Sequence, residues 1–214
     1  MRDQSRRADM SGVLRVVSWN VNRRPSSWNL VRELDADVVL LQEATSSGLR
    51  GDEGLVAVAP SPSDWKIING SGAHGTAVVV KSATTSFETV SSIRASHPGQ
   101  FGVIRLPVGE HGLYVINLYA IFDGRLADAS THRAISDLTP ILAGRAEILM
   151  AGDFNAFRGY TLGSNKSELR RYETVFNRWR LVWNALVPSP RMVLSSTVRA
   201  RTTSVACTFA HIVT

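Results

Sequence analysis

The stretch that most constrains the fold is Glu147 to Ala156, which reads E-I-L-M-A-G-D-F-N-A. A short apolar run closed by a glycine is typical of a strand that is buried on both faces and emerges at its C-terminal end. Because alternate side chains of an extended chain share a face, Asp153 and Asn155 are predicted to point into one space, with Phe154 turned back toward the core. The alternative is an Asx turn at the end of a core strand, since Asp and Asn also stabilise turns through their own backbone.

Two earlier strands are predicted to end in the same way. Leu14 to Val21 is rich in β-branched and aromatic residues, and Asn20 lies near its end. Asp37 to Glu43 is a second buried strand that finishes in Gln42 and Glu43, although a solvated strand end is the alternative for Glu43. Strand ends that converge on one sheet edge form a crevice, where open α/β proteins bind ligands. Carboxylates and amides without cysteines suit a hard cation such as Mg²⁺, which leaves coordination positions for water and phosphate.

The remaining pattern predicts helices and hairpins around these strands. Apolar residues at helical spacing predict helices at Ser26 to Leu34, Asp128 to Ala143 and about Glu168 to Trp179. Pro140 should kink or interrupt the second helix. Thr45 to Ser63 is rich in Gly, Ser and Pro and is predicted to be a loop. Five further stretches with short connections predict strands of a partly antiparallel sheet: Trp65 to Asn69, Thr76 to Lys81, Ser86 to Val90, Phe101 to Val108 and Leu113 to Ala120.

The composition is that of a soluble globular protein, with 44% apolar and 20% charged residues in 214. The longest apolar runs are only a few residues, so no membrane-spanning segment is predicted. Met1 to Gly12 has charges with no apolar stretch behind them, so we expect a disordered tail rather than a secretory signal. The single cysteine, Cys207, excludes an internal disulfide and favours a cytoplasmic location.

The net charge of +6 comes mainly from the C-terminal part of the chain. Thr174 to Thr214 holds five arginines and no Asp or Glu, whereas the first 173 residues hold 19 basic and all 18 acidic groups. A nearly neutral body weakens the prediction of a nucleic-acid surface. The same C-terminal stretch also lacks glycine. Two explanations stay open: a run of edge strands, or a stretch that is not native coding sequence, as after a frameshift.

Five blocks of the sequence, taken together and in order, resemble the endonuclease/exonuclease/phosphatase superfamily. They are S-W-N-V-N at Ser18 to Asn22, L-L-Q-E-A at Leu40 to Ala44, I-N-L-Y-A at Ile116 to Ala120, T-H-R-A-I-S-D-L at Thr131 to Leu138 and A-G-D-F-N-A at Ala151 to Ala156. The resemblance implies an α/β (α+β) fold, a four-layer α/β/β/α sandwich of two mixed sheets packed face to face. It also implies Mg²⁺- or Mn²⁺-dependent cleavage of phosphoester bonds. Similar cores act on nucleic acids, inositol phosphates and phospholipid head groups.

Carried over residue by residue, the resemblance implies roles for the polar strand ends. Glu43 would be the metal-binding carboxylate, and Asn20 its neighbour at the metal or its water. Asp153 would orient the attacking water and help to deprotonate it, and Asn155 would hold a phosphate oxygen.

Tyr119 and Arg133 lie where the family places residues near the scissile phosphate. The alternative for Tyr119 is a core aromatic ring whose hydroxyl contacts solvent. The alternative for Arg133 is a surface pair with Asp137, four residues further along a helix.

The C-terminal end departs from the family pattern, because family members end in a Ser-Asp-His block that is absent here. Phe209 to Ile212 could be the remnant of an earlier family strand with alanine in the acid position, or His211 could replace the final histidine. We therefore predict a family-like domain over residues 13–178 and an atypical, incomplete C-terminal part over residues 179–214.

The predicted function is a phosphoesterase or nuclease-like hydrolase, impaired by loss of the terminal Asp-His pair, with a phosphoester as its partner. One alternative is a non-catalytic truncated homologue or binding module that keeps the scaffold. Another is a nucleic-acid-binding domain without chemistry.

Overall fold

The computed structural model describes residues 14–45, 55–58, 74–81, 86–108, 111–121, 128–143, 147–154, 195–196 and 207–212. These residues form two five-stranded sheets and two helices. The strands are β1 Leu14–Asn20, β2 Val38–Thr45, β3 Leu55–Val58, β4 His74–Lys81, β5 Glu88–Thr89, β6 Phe101–Leu106, β7 Leu113–Tyr119, β8 Glu147–Asp153, β9 Ser195–Ser196 and β10 Cys207–Ile212. The helices are α1 Ser27–Glu33 and α2 Asp128–Leu142. Neither helix is long and apolar enough to cross a membrane.

Both sheets are mixed, as predicted. The first sheet has the order β10-β1-β2-β4-β3, in which β1 and β2 are parallel and the other neighbours antiparallel. The second sheet has the order β5-β6-β7-β8-β9, in which β7, β8 and β9 are parallel and the other neighbours antiparallel. The two parallel pairs β1–β2 and β7–β8 therefore lie inside different sheets.

Alternating side chains divide the core into three apolar layers. Trp28 and Val31 of α1 pack on the outer face of the first sheet, and Ala134 and Leu138 of α2 pack on the outer face of the second. Residues at alternate strand positions fill the space between the sheets: Val16, Val38, Leu40, Val78, Ile104, Val115 and Leu149. The order of layers is thus α1, first sheet, second sheet, α2, which is the α/β/β/α sequence of layers.

The predicted elements agree with the structure along the central strands and both described helices, but not everywhere. The prediction of a loop over Thr45 to Ser63 is wrong at Leu55–Val58, which forms β3 by pairing with β4. Those four residues are apolar and two of them are valines, but the turn residues around them hid the strand signal. Helix α2 continues through Pro140 without interruption. The predicted N-terminal tail, the strand at 65–69 and the helix at 168–179 lie outside the described residues.

The last 41 residues contribute two described strands, and both lie at sheet edges. β9 pairs with β8 at the edge of the second sheet, and β10 pairs with β1 at the edge of the first. This arrangement agrees with the edge-strand explanation of that part of the sequence.

Candidate active site

The C-terminal ends of four strands meet where the two sheets face each other. Asn20, Tyr119 and Asp153 are the last residues of β1, β7 and β8, and Glu43 lies two residues before the end of β2. The expectation of a crevice along one sheet edge is therefore wrong in one respect. The strand ends come from two facing sheets, because β1 pairs with β2 while β7 pairs with β8.

One amide group joins the two predicted carboxylates across the sheets. Asn20 Nδ2 donates hydrogen bonds to Glu43 Oε1 at 3.1 Å and to Asp153 Oδ2 at 2.8 Å. The backbone N–H of Asn22 donates to Asn20 Oδ1 at 2.9 Å, and this bond fixes which end of the amide faces the carboxylates. We call Asn20, Glu43 and Asp153 the carboxylate cluster.

A β-bulge turns Glu43 into this cluster. In a regular strand Glu43 would share a face with Leu41, which packs on the α1 side of the first sheet. Leu41 pairs with Ala77 and Ala44 with Gly75, so two residues of β2 lie opposite one residue of β4, and β2 carries one extra residue here. Glu43 has a positive φ of 52° at this point, and Ala44 returns to the α1 side. The bulge therefore lets the Glu43 carboxylate reach Asn20 instead of the outer face.

Tyr119 adds a neutral hydrogen-bond donor to the cluster. The residue is 6% exposed, and its hydroxyl donates a hydrogen bond to Glu43. Burial, followed by the negative charges of Glu43 and Asp153, raises the pKa of the hydroxyl well above its ordinary value. The ring of His74 lies beside it, with centroids 6.1 Å apart. Tyr119 therefore stays protonated near neutral pH and can orient Glu43, but it cannot accept a proton.

Arg23 is a site residue that the sequence analysis does not predict. Its Nε lies 3.3 Å from Glu43 Oε2, and its backbone N–H donates to the Glu43 carbonyl oxygen at 2.9 Å. In the sequence, the one indication that Arg23 belongs to the site is its position three residues after Asn20, at the end of a buried strand.

A buried polar network supports the cluster from inside the sandwich. Gln42 Nε2 in the first sheet donates to Asn117 Oδ1 in the second at 2.7 Å. Asn117 Nδ2 donates back to the carbonyl oxygens of Leu41 at 2.8 Å and Ala77 at 2.9 Å. Both amide side chains are fully buried, so these bonds tie the sheets together next to the strand ends.

The structure does not bring Arg133 into the cluster. Arg133 is exposed on α2, and among the described residues no hydrogen bond or ion pair joins it to Asn20, Glu43 or Asp153. The predicted surface pair with Asp137 is not formed either. Asp137 accepts hydrogen bonds from the backbone N–H and the hydroxyl of Ser96 at 2.7 and 2.8 Å.

Two further predictions from the sequence concern Asn155 and His211. Asn155 lies outside the described residues. His211 pairs with Arg15 in the β1–β10 register, whereas Cys207 pairs with Trp19 beside the cluster. Five residues of strand separate Arg15 from Asn20, a distance of about 16 Å. The register therefore does not support His211 as a replacement for the final histidine of the family.

Comparison with known proteins decides the family. The sequence model of the Endonuclease/Exonuclease/phosphatase family matches residues 17–194. The chain belongs to this family. The resemblance read from the five sequence blocks is thereby confirmed, and the match extends past Arg178 toward the C-terminus. No curated protein matches the chain.

Solved structures show the endonuclease/exonuclease/phosphatase fold at low sequence identity. The endonuclease domain of TRAS1, a telomere-specific non-LTR retrotransposon, is 14% identical with a TM-score of 0.53, covering 78% of this chain and 72% of that one. An AP endonuclease from Archaeoglobus fulgidus is 16% identical with a TM-score of 0.50, covering 77% of this chain and 70% of that one. These matches show the shared fold.

The carboxylate cluster of this family member fits a hydrated hard cation. Among the described residues, no group of three or more His, Cys, Asp or Glu side chains is arranged to hold a metal ion. Two carboxylates are nevertheless enough for Mg²⁺, which usually takes one or two protein carboxylates and keeps water and phosphate oxygens as its other ligands. These oxygen ligands therefore fit a cation whose remaining coordination positions are filled by water and by the substrate. They do not form a site in which the protein supplies every ligand.

Proposed function

We propose that this family member hydrolyses phosphoester bonds with Mg²⁺ or Mn²⁺ at the carboxylate cluster. The observation that carries the proposal is the Asn20 amide, which holds Glu43 of the first sheet and Asp153 of the second within hydrogen-bond distance of one nitrogen. Carboxylates brought together from distant parts of the chain, at the open end of two facing sheets, are a suitable arrangement for binding a cation and a water molecule.

Each residue of the cluster has a separate role in the proposal. Glu43 would hold the cation, which when bound neutralises phosphate charge and lowers the pKa of water. Asp153 orients the attacking water and takes its proton, while Asn20 keeps the Asp153 carboxylate in position. Tyr119 orients Glu43 through its hydroxyl. Asn155, next to the cluster in sequence, would donate its amide N–H to a phosphate oxygen.

Residues 1–214 contain no Ser-Asp-His block, and we expect these residues by themselves to turn over substrate slowly. Among the described histidines, His74 has its ring beside Tyr119, and His211 pairs with Arg15 away from the strand ends. Loss of groups that act as a unit with the metal lowers rates by orders of magnitude. We therefore expect measurable but weak hydrolysis.

The test is hydrolysis of bis(4-nitrophenyl) phosphate and of 4-nitrophenyl phosphate, each with Mg²⁺, with Mn²⁺ or with EDTA. The two substrates separate diesterase from monoesterase activity. Glu43→Gln should lower kcat/KM by about 100-fold or more, because it removes the charged cation ligand. Glu33→Gln is the matched control, since Glu33 is an exposed acid on α1.

Three results would contradict the proposal in different ways. Unchanged turnover in Glu43→Gln would exclude Glu43 as the cation ligand. Turnover that survives EDTA would exclude the metal. Absence of chelator-sensitive turnover in the wild type, with the protein folded, would favour the non-catalytic homologue; steeply salt-dependent DNA binding would then indicate a nucleic-acid-binding domain.

A further inference from the structure

Three residues in or beside the carboxylate cluster have a left-handed backbone conformation. Among the described residues three that are not glycine have a positive φ: Asn22 at 50°, Arg23 at 59° and Glu43 at 52°. All three are joined to the cluster or belong to it. Such conformations are uncommon for residues with a side chain and persist only where the surroundings hold them, which is frequent at functional sites.

The turn that contains Arg23 is held by the cluster itself. The backbone N–H of Asn22 donates to Asn20 Oδ1 at 2.9 Å, and that of Arg23 donates to the Glu43 carbonyl oxygen at 2.9 Å. The base of the Arg23 side chain is therefore fixed beside Glu43. The end of the side chain is less constrained, since it is 39% exposed and meets Glu43 only through Nε at 3.3 Å.

The Arg23 guanidinium has unused donors. A guanidinium carries five N–H groups, and among the described residues the two Nη groups of Arg23 donate no hydrogen bond. Two parallel N–H groups match the oxygens of a phosphate, with which arginine commonly forms paired hydrogen bonds. These donors lie at the exposed side of the cluster.

The Glu43 carboxylate, by contrast, already has three partners among the described residues. Oε1 accepts from Asn20, Oε2 faces Arg23, and the Tyr119 hydroxyl also donates to the group, whose side chain is only 12% exposed. A divalent cation that binds Glu43 Oε2 competes with Arg23 for this oxygen. Arg23 is the exposed partner and the cationic one, so repulsion from the incoming charge acts on it most strongly.

We propose that Arg23 is an exchangeable phosphate-binding residue. Its guanidinium neutralises Glu43 in the metal-free chain, leaves Oε2 when a divalent cation binds, and then pairs through its Nη groups with the phosphate of the substrate. This inference rests on the proposed function. The backbone bond to Glu43 keeps Arg23 at the cluster during the exchange. Arg23 would thus supply positive charge at the phosphate.

The test measures cation and anion binding separately, without relying on turnover. Mn²⁺ affinity is measured from the EPR signal of free Mn²⁺, and the affinity for inorganic phosphate by calorimetry at saturating Mg²⁺. Arg23→Gln should bind Mn²⁺ about fivefold more tightly, because a competing, partly exposed ion pair is gone. The same variant should bind phosphate about tenfold more weakly, because charge-assisted hydrogen bonds are lost.

Two further variants separate charge from geometry. Arg24→Gln removes the same charge from the neighbouring exposed residue and should leave both affinities at the wild-type level. Arg23→Lys keeps the charge but not the planar fork, so Mn²⁺ affinity should stay near wild type while phosphate affinity falls.

The outcomes distinguish this inference from the proposed function. Equal Mn²⁺ affinity in Arg23→Gln and Arg24→Gln would overturn the exchange, and so would weaker Mn²⁺ binding in Arg23→Gln, which indicates a merely structural role. If Glu43→Gln abolishes Mn²⁺ binding while Arg23→Gln leaves it unchanged, only the exchange fails. If neither the wild type nor Arg23→Gln binds Mn²⁺, the metal site is absent and both proposals fail.

Discussion

Gly152 is the position where a single methyl group should disturb the backbone beside the carboxylate cluster. Gly152 pairs with Leu118 in the parallel β7–β8 ladder and directly precedes Asp153. Its φ is 150°, and a Cβ placed on it would lie 1.9 Å from the Leu118 carbonyl oxygen and 2.8 Å from the Leu118 carbonyl carbon and backbone nitrogen. The obstacle is backbone in a buried sheet, so no side-chain rotation can relieve it.

We expect Gly152→Ala to lower the free energy of unfolding by about 3–5 kcal/mol. Ordinary van der Waals contact begins near 3.4 Å, so the strands would have to separate by about 1.5 Å. Overpacking of this kind typically costs about 1–3 kcal/mol, and the unfavourable φ for alanine adds about 1–3 kcal/mol. The total is a large share of the roughly 5–15 kcal/mol that stabilises a typical domain.

The matched control is Gly112→Ala. Gly112 also has a positive φ, 77°, but its obstacles are less severe: the Nε atom of the Arg105 side chain at 2.8 Å and the Leu106 carbonyl oxygen at 3.0 Å. Its cost should therefore be limited mainly to the left-handed backbone, about 1–2 kcal/mol. Urea denaturation followed by far-UV circular dichroism measures both variants. Equal losses in the two, or a loss below about 1 kcal/mol in Gly152→Ala, would refute the argument from the β7–β8 contact.

Two further predictions concern Tyr119 and the buried network. Because the pKa of Tyr119 is raised in the folded chain, its stabilising effect is complete below pH 10, the ordinary value, and is lost as pH rises toward the folded value. Wild type should therefore lose stability relative to Tyr119→Phe from pH 10 upward in urea denaturation, and parallel pH profiles would contradict this. Asn117→Leu should cost about 2–4 kcal/mol, because it removes the side-chain donor to the carbonyl oxygens of Leu41 and Ala77 and one of the three acceptors of the Gln42 amide. A loss below about 1 kcal/mol by chemical denaturation would show that the network is not needed for stability.

Much of the fold could be predicted because its signals are local. The apolar runs at β1, β2 and β8 predict buried strands, and helical spacing predicts α1 and α2. The polar residues at strand ends, read with the five family blocks, identified Asn20, Glu43 and Asp153 as the residues that meet. Their catalytic roles stay predictions until the variants are measured.

Other features depend on contacts that no local pattern reveals. β3 was missed because its strand character comes from pairing with β4. Arg133 carries a family signature in sequence, yet it is exposed on α2 and makes no contact with the cluster among the described residues. Arg23, which has no such signature, pairs with Glu43.

The sequence by itself determined the family, the main strands and helices, and the residue types at the candidate site, because strand periodicity and family motifs are carried by neighbouring residues. Only the tertiary structure decided that the cluster joins two sheets and that a bulge turns Glu43 into it. Asn20 and Asp153 are 133 positions apart in the chain. Their meeting is set by the packing of one sheet on the other, and that packing is the summed result of many side chains spread along the whole domain.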